Sequence, residues 1–258
     1  MKKVRKGAEP TKLKAYREGS ASRTWDQFIK GKPAKRRKKQ TREQLVADQG
    51  GLCAYCEIDL RPGSNGFVSD LRVEHFHPKS DSLTSHNWHL DWQNLLGCCH
   101  GGSQKNVIDA AKRFTKPDFS CDVPKGDNNW DNVILNPLNI PTFPCLFQYD
   151  RATGSILVNP TACHQAAIDI GKAQATVDKL CLDAARLRDL RKPVLDQVND
   201  EIRHLVALGY TPEQARSRLA QALLRQDANN HWPAFFSAIR SYLGAAAEEQ
   251  LKAISYNG

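Results

Sequence analysis

The chain has 258 residues, with 37 Lys and Arg against 28 Asp and Glu, a net charge of +9 and a pI near 9.2. That length allows one good core or two modest ones, and the basic excess favours a polyanionic partner, nucleic acid foremost. No apolar run approaches bilayer thickness and no apolar stretch follows the basic Met1–Gly7 segment, which argues against a membrane span and against export and leads us to expect a cytoplasmic protein. In that reducing compartment eight cysteines, two of them arranged as Cys53-x-x-Cys56, point to metal binding rather than to a disulfide framework.

Residues 1–40 alternate charge, carry few large apolar groups and are punctuated by glycine and proline, so they read as an extended basic arm with one short helix near Trp25–Ile29. Lys35, Arg36, Arg37, Lys38 and Lys39 are its densest run of charge and are candidates for phosphate contact. Thr41 with Gln44 forms a capping-box pattern that opens a helix ending at Gly50-Gly51. Asp59–Asn65 marks a turn, and Phe67–Phe76 has the β-branched and aromatic character of a short strand ending near Glu74 and His75. Leu146–Tyr149 and Ser155–Asn159 read as a hairpin. From Thr161 onward apolar residues recur at helical steps, Pro193 is expected to kink or split a long helix, and Thr211-Pro212 opens another. The expected organisation is α+β: a basic arm (1–40), a metal-stapled domain (41–160) and a mostly helical C-terminal region (161–258) that packs on its own core or docks a partner.

The chemistry is concentrated in residues 53–127. Two residues between Cys53 and Cys56 let both thiolates reach one zinc ion, and Cys99 and Cys121 complete a tetrahedral set, with Cys98 as the rival for the third place. Phosphodiester hydrolysis needs a deprotonated water, neutralised phosphoryl oxygens and a stabilised leaving group. A neutral His75 can take the proton, Glu74 on the other face of the chain can bind a hard divalent ion such as magnesium or manganese, and Asp122 can complete the protein's share of that ion. His100, directly after Cys99, is the rival to Asp122.

Val73-Glu74-His75, Asn94 and Cys121-Asp122-x-x-Lys125, bracketed by the cysteines, resemble the HNH (ββα-metal) endonucleases over residues 41–140. The resemblance implies that Glu74 and Asp122 hold the catalytic metal, that His75 is the general base, and that Asn94 fixes a loop and orients His75. It departs from many cysteine-bearing members in the wide separation of Cys99 and Cys121 and in having aspartate as the last ligand. Val4–Pro10, Gly51–Cys56, Val73–Ser80, Cys121–Asp127 and Leu135–Leu138 together look like the PtuB family of Septu and retron-associated anti-phage systems. That narrower likeness implies a heteromeric defence complex with the ABC-type ATPase PtuA, and in some systems a retron reverse transcriptase and its nucleic acid.

His77 would share the His75 face only while the strand stays regular, and because Pro78 ends that regularity it reads as an accessory phosphate or metal contact, with Lys79, Lys105 and Lys125 as phosphate contacts or solvated groups. Cys145, Cys163 and Cys181 read as buried thiols outside the site; Trp88, Trp92 and Trp130 either stack on bases or fill the core. The expected activity is metal-dependent cleavage of nucleic acid, DNA ahead of RNA. The contrasting reading is a zinc-ribbon nucleic-acid-binding or adaptor protein without catalysis, for which a general base beside an acidic metal ligand has no use.

Overall fold

The computed structural model describes residues 1–63 and 66–258; Ser64 and Asn65, within the turn read from the sequence, lie outside them. The first helices are α1 (Thr11–Glu18), α2 (Trp25–Phe28) and α3 (Ala34–Asp48). A reciprocal capping box between Thr24 and Gln27 starts α2. In place of an extended arm, the whole Lys35–Lys39 run lies within α3, and Thr41 sits in mid-helix with its hydroxyl donating to the Arg37 carbonyl at 3.0 Å. The reason is tertiary: Leu13, Trp25, Phe28, Leu45, Leu90, Trp92 and Leu95 form one buried cluster. Arg37 clamps it by lying over the rings of Tyr16 and Phe28 while donating to the Lys30 carbonyl at 2.9 Å. Lysine and arginine are good helix formers once one face of the helix is anchored.

Strand β1 (Arg72–His75) pairs antiparallel with β2 (Leu95–Cys98), in a register that sets Arg72 opposite Cys98 and Glu74 opposite Leu96. The strand is shorter than the Phe67–Phe76 span, upstream of which Val68 makes only an isolated bridge to Val107. Gln49, just past α3, donates to the carbonyls of Leu52 and Gly97 at 2.7 Å each and accepts from the Gly97 amide at 2.6 Å, so it ties the helix to β2. The short helices α4 (Ala110–Arg113) and α5 (Asp122–Lys125) follow. The second antiparallel pair is β3 (Phe147–Tyr149) with β4 (Ile156–Val158), where the sequence places a hairpin.

The remainder is helical: α6 (Pro160–Gln165), α7 (Ile170–Lys179), α8 (Ala185–Ala207), α9 (Pro212–Leu223), α10 (Phe236–Leu243) and α11 (Ala245–Ala253). Pro193 does not split α8, which runs unbroken through it. The proline is on the exposed side, where the carbonyl it leaves without an N–H donor can bond water. The largest buried cluster joins Met1 and Val4 to Tyr55 and Ile58, to Leu135 and Phe147, and to Val177, Leu187 and Phe235, so all three expected segments share one core. No helix of the described residues is long and apolar enough to cross a membrane.

Candidate functional site

Cys53, Cys56, Cys99 and Cys121 are all buried, and their sulfur atoms lie within 4.8 Å of one another. The separations are 3.8 Å for Cys53–Cys121 and 3.6 Å for both Cys56–Cys99 and Cys99–Cys121. Tetrahedral Zn–S bonds of about 2.3 Å require sulfur–sulfur edges of roughly 3.8 Å, so the donor set fits zinc. Backbone amides of Cys99 and Gly101 point at the sulfurs of Cys53 and Cys99, at 3.3 and 3.4 Å. Hydrogen bonds from the other thiols hold Cys53 well below the ordinary thiol value despite its burial, while those same neighbours and burial push Cys121 well up. Four such thiols can all ionise only around a cation. Cys98 is outside the cluster: it ends β2 opposite Arg72, and burial raises its thiol.

Two features bring the distant Cys121 to its partners. Its amide donates to the Leu180 carbonyl at 2.8 Å, which hangs it from the helical region. Gly101, at φ +57°, lets the chain pass so close to Ser120 that a Cβ there would stand 2.1 Å from the Ser120 carbonyl oxygen. The loop of residues 100–120 therefore folds back on itself, and its length does not separate the ligands in space.

Glu74, from β1, and Asp122, the first residue of α5 and next to Cys121, are both buried, and Asp122 is near enough to raise the Glu74 carboxyl. Burial pushes the Glu74 carboxyl up to about 7, against the pull of Lys125 and with a further rise from Asp122. Burial likewise pushes Asp122 up to about 6, against Arg72. Asp122 Oδ1 is buried without a hydrogen-bond partner, and Oδ2 is 3.2 Å from Arg72 Nε. Two desolvated carboxylates, Glu74 raised further by Asp122 and Asp122 with an orphaned oxygen, suit a hard divalent ion. Lys125, a candidate for phosphate contact, is instead fully buried: its Nζ is 3.0 Å from Glu74 Oε1 and donates to the His75 carbonyl at 3.1 Å. An internal ammonium so held has no path to a substrate phosphate.

His75 points to the other side of β1. Its Nε2 donates to the His89 carbonyl at 3.0 Å, which assigns the proton to Nε2 and leaves the lone pair on Nδ1. Burial, to 7% exposure, pulls this imidazole down to about 4, and Trp25 packs edge-on with ring centroids 5.2 Å apart. Asn94 closes the loops around it: Oδ1 accepts from the His77 amide at 2.7 Å, and Nδ2 donates to the carbonyls of His77 and Trp88 at 2.9 and 3.0 Å. The Trp88–His89 segment that orients His75 is thus held by Asn94.

Other sequence candidates lie apart from this centre. His77 has Nδ1 2.6 Å from Asp131 and Nε2 2.8 Å from Asp81, so neither nitrogen is free for metal or phosphate. Its ring stacks on Trp88 at 4.0 Å, with His86 against the same indole at 4.2 Å, which leaves Trp88 poorly placed to stack on a base. His100 turns Nε2 to the Ser69 carbonyl at 3.1 Å rather than to a metal. Lys79 pairs with Asp26 at 2.9 Å. Of the basic run, Lys35, Arg36 and Lys39 are exposed, Lys38 is half-buried, and Arg37 is committed to its aromatic clamp. The residues that sequence reasoning missed are Trp25 over His75, for which no local signal exists, and Arg72, which strand alternation places on the Glu74 face.

No protein-family model matches the chain. It is 33% identical over 219 residues, covering 78% of this chain and 81% of the relative, to a protein of Escherichia coli named "Retron Ec83 putative HNH endonuclease".

Proposed function

Because the chain belongs to the HNH endonuclease family, as the extent of its identity to the retron Ec83 protein shows, we propose that it is a metal-dependent endonuclease that hydrolyses phosphodiester bonds of nucleic acid, DNA ahead of RNA. What supports this reading is the burial of Glu74 and Asp122, near enough for Asp122 to raise the Glu74 carboxyl, an orphaned Asp122 oxygen, and a neutral imidazole held by the His89 carbonyl at the residue after Glu74. Glu74 and Asp122 would hold magnesium or manganese, and Cys53, Cys56, Cys99 and Cys121 would hold a structural zinc. A divalent cation bound at the carboxylates supplies Lewis-acid polarisation of the phosphoryl group and stabilises the leaving alkoxide. His75 Nδ1 would take a proton from the attacking water as its oxygen bonds to phosphorus and the P–O bond to the leaving nucleotide breaks, the leaving oxygen gaining a proton from solvent, and the imidazolium would be stabilised through Nε2–H and the His89 carbonyl. Asn94 keeps that carbonyl in place, and Lys125 fixes Glu74 to the backbone of His75. A binding-only zinc module gives no reason to bury two neighbouring carboxylates at such a desolvation cost.

The relative's retron and the wider resemblance to the PtuB family support a role as the cytoplasmic effector subunit of an anti-phage system, coupled to an ABC-type ATPase of the PtuA kind and, in a retron setting, to a reverse transcriptase and its nucleic acid. The test is cleavage of DNA and RNA with magnesium or manganese, with and without an ABC-type ATPase of the PtuA kind, against His75→Ala. Loss of cleavage in His75→Ala with unchanged zinc content is expected. Equal cleavage by the two proteins overturns the catalytic assignment.

A further inference from the structure

Arg186 is a buried cation without a carboxylate. It is the second residue of α8, is 5% exposed, and among the described residues has no acidic side chain within ion-pair distance. Its Nε is buried with no hydrogen-bond partner, and its Nη2 donates to the Ser120 hydroxyl at 2.6 Å. Arginine keeps its charge even when buried, so such a guanidinium needs an anion nearby. Its place in the first turn of a long helix sharpens the need, because the helix dipole disfavours a cation there.

The cysteine cluster supplies that anion. Ser120 is fully buried directly before Cys121, and its Oγ is 3.7 Å from Cys121 Sγ. A hydroxyl that accepts from a guanidinium keeps its own hydrogen to give, and a thiolate beside it can only accept, so the three groups polarise in one direction, from Arg186 through Ser120 to Cys121. The loop between Cys99 and Cys121 also lies against the arginine: a Cβ on Gly102 would stand 3.2 Å from Arg186 Nε. Four buried thiolates around one divalent ion leave a surplus of negative charge, of which the amides of Cys99 and Gly101 meet a part. We propose that Arg186 is the countercharge of the four-cysteine zinc centre, acting through the Ser120 hydroxyl on Cys121 and so tying the C-terminal helices to the metal. This role rests on the zinc reading; Arg186 positions and stabilises a ligand and does not itself bind the ion.

The experiment follows zinc transfer from the full, zinc-loaded chain to a graded excess of chelator, and records the thiolate-to-metal charge-transfer band after cobalt replaces the zinc. Arg186→Gln, which keeps a donor for Ser120 without the charge, should hold zinc roughly 10–100-fold less tightly, and Arg186→Lys should recover most of that loss. The cobalt band should move to lower energy in Arg186→Gln and in Ser120→Ala, because a thiolate without its cation gives up electron density more readily. Arg191→Met controls for lost stability alone: this buried arginine of α8 bonds to the carbonyls of Gly154 and Leu182 rather than to the cluster, and its removal should leave the band in place. If Arg186→Gln proves unfolded by circular dichroism, Ser120→Ala, which cuts the relay and spares the arginine, decides by both readouts. Equal zinc retention in Arg186→Gln and Arg186→Lys, or a cobalt band unmoved in the folded variants, overturns the countercharge. An unaltered chain that metal analysis finds free of zinc overturns the zinc reading itself, and the countercharge with it.

Discussion

Removing the metal from the four-cysteine cluster should unfold much of this protein at temperatures where the loaded form is stable. The cluster ties together points 43 residues apart, Cys56 to Cys99, and 22 residues apart, Cys99 to Cys121. Loop-closure entropy assigns about 3 kcal/mol to each of those closures, so losing both costs roughly 6 kcal/mol before any thiolate–metal bonding is counted. Domains of this size have only about 5–15 kcal/mol of net stability, and a loss of that order lowers the melting temperature by roughly 10–25 °C. The assay is thermal unfolding by far-ultraviolet circular dichroism before and after a zinc chelator, paired with metal analysis that should find about one zinc per chain. Cys121→Ser should behave like the chelated protein, whereas Cys98→Ser should keep its zinc, because Cys98 lies outside the set. A chelated, demonstrably zinc-free chain that melts within a few degrees of the loaded one refutes the cross-linking argument.

With magnesium held limiting, cleavage should rise with pH between about 6 and 7, because Asp122 and Glu74 are raised to those values and must lose their protons to grip a cation, whereas His75, at about 4, is already neutral. More magnesium should move this limb to lower pH by competing with protons, and an acid limb near 4 that ignores magnesium would contradict the scheme. In the metal-free protein the same two groups favour the folded state below their ordinary values of 3.8 and 4.5, and that contribution is lost as pH climbs through about 6 and 7. Lys125→Met should cost about 3 kcal/mol in urea unfolding, since it strands the His75 carbonyl and removes the cation beside Glu74; adding Glu74→Gln should recover part of that, and additive effects would show the pair to be uncoupled. Gly101→Ala, which drives a Cβ into the Ser120 carbonyl at positive φ, should lower both stability, by roughly 2–4 kcal/mol, and zinc retention under chelator challenge.

How much of this was legible before folding depends on the range of the signal. The helix start at Thr211-Pro212 and the hairpin of Leu146–Tyr149 with Ser155–Asn159 depend on neighbours a few residues away, and the structure has both. The same local reasoning misread Thr41 and the basic run: a capping pattern and a string of lysines say nothing of Tyr16 and Phe28, whose rings hold Arg37 and turn the segment into one helix. Pro193 likewise breaks a helix only where its missing N–H leaves a carbonyl unsolvated, and exposure is a tertiary property.

By itself the sequence determined the chemical inventory: which thiols could share a metal, which carboxylate adjoins which histidine, and that alternation along β1 sends Glu74 and His75 to opposite faces. Only the tertiary structure decided between Cys98 and Cys99, buried Lys125 where it serves Glu74 instead of substrate, and set Trp25 on His75. The physical reason is that spacing encodes which groups a turn or strand can present, whereas burial, and with it every pKa and every free or occupied donor, is set by segments tens of residues away that close over the site.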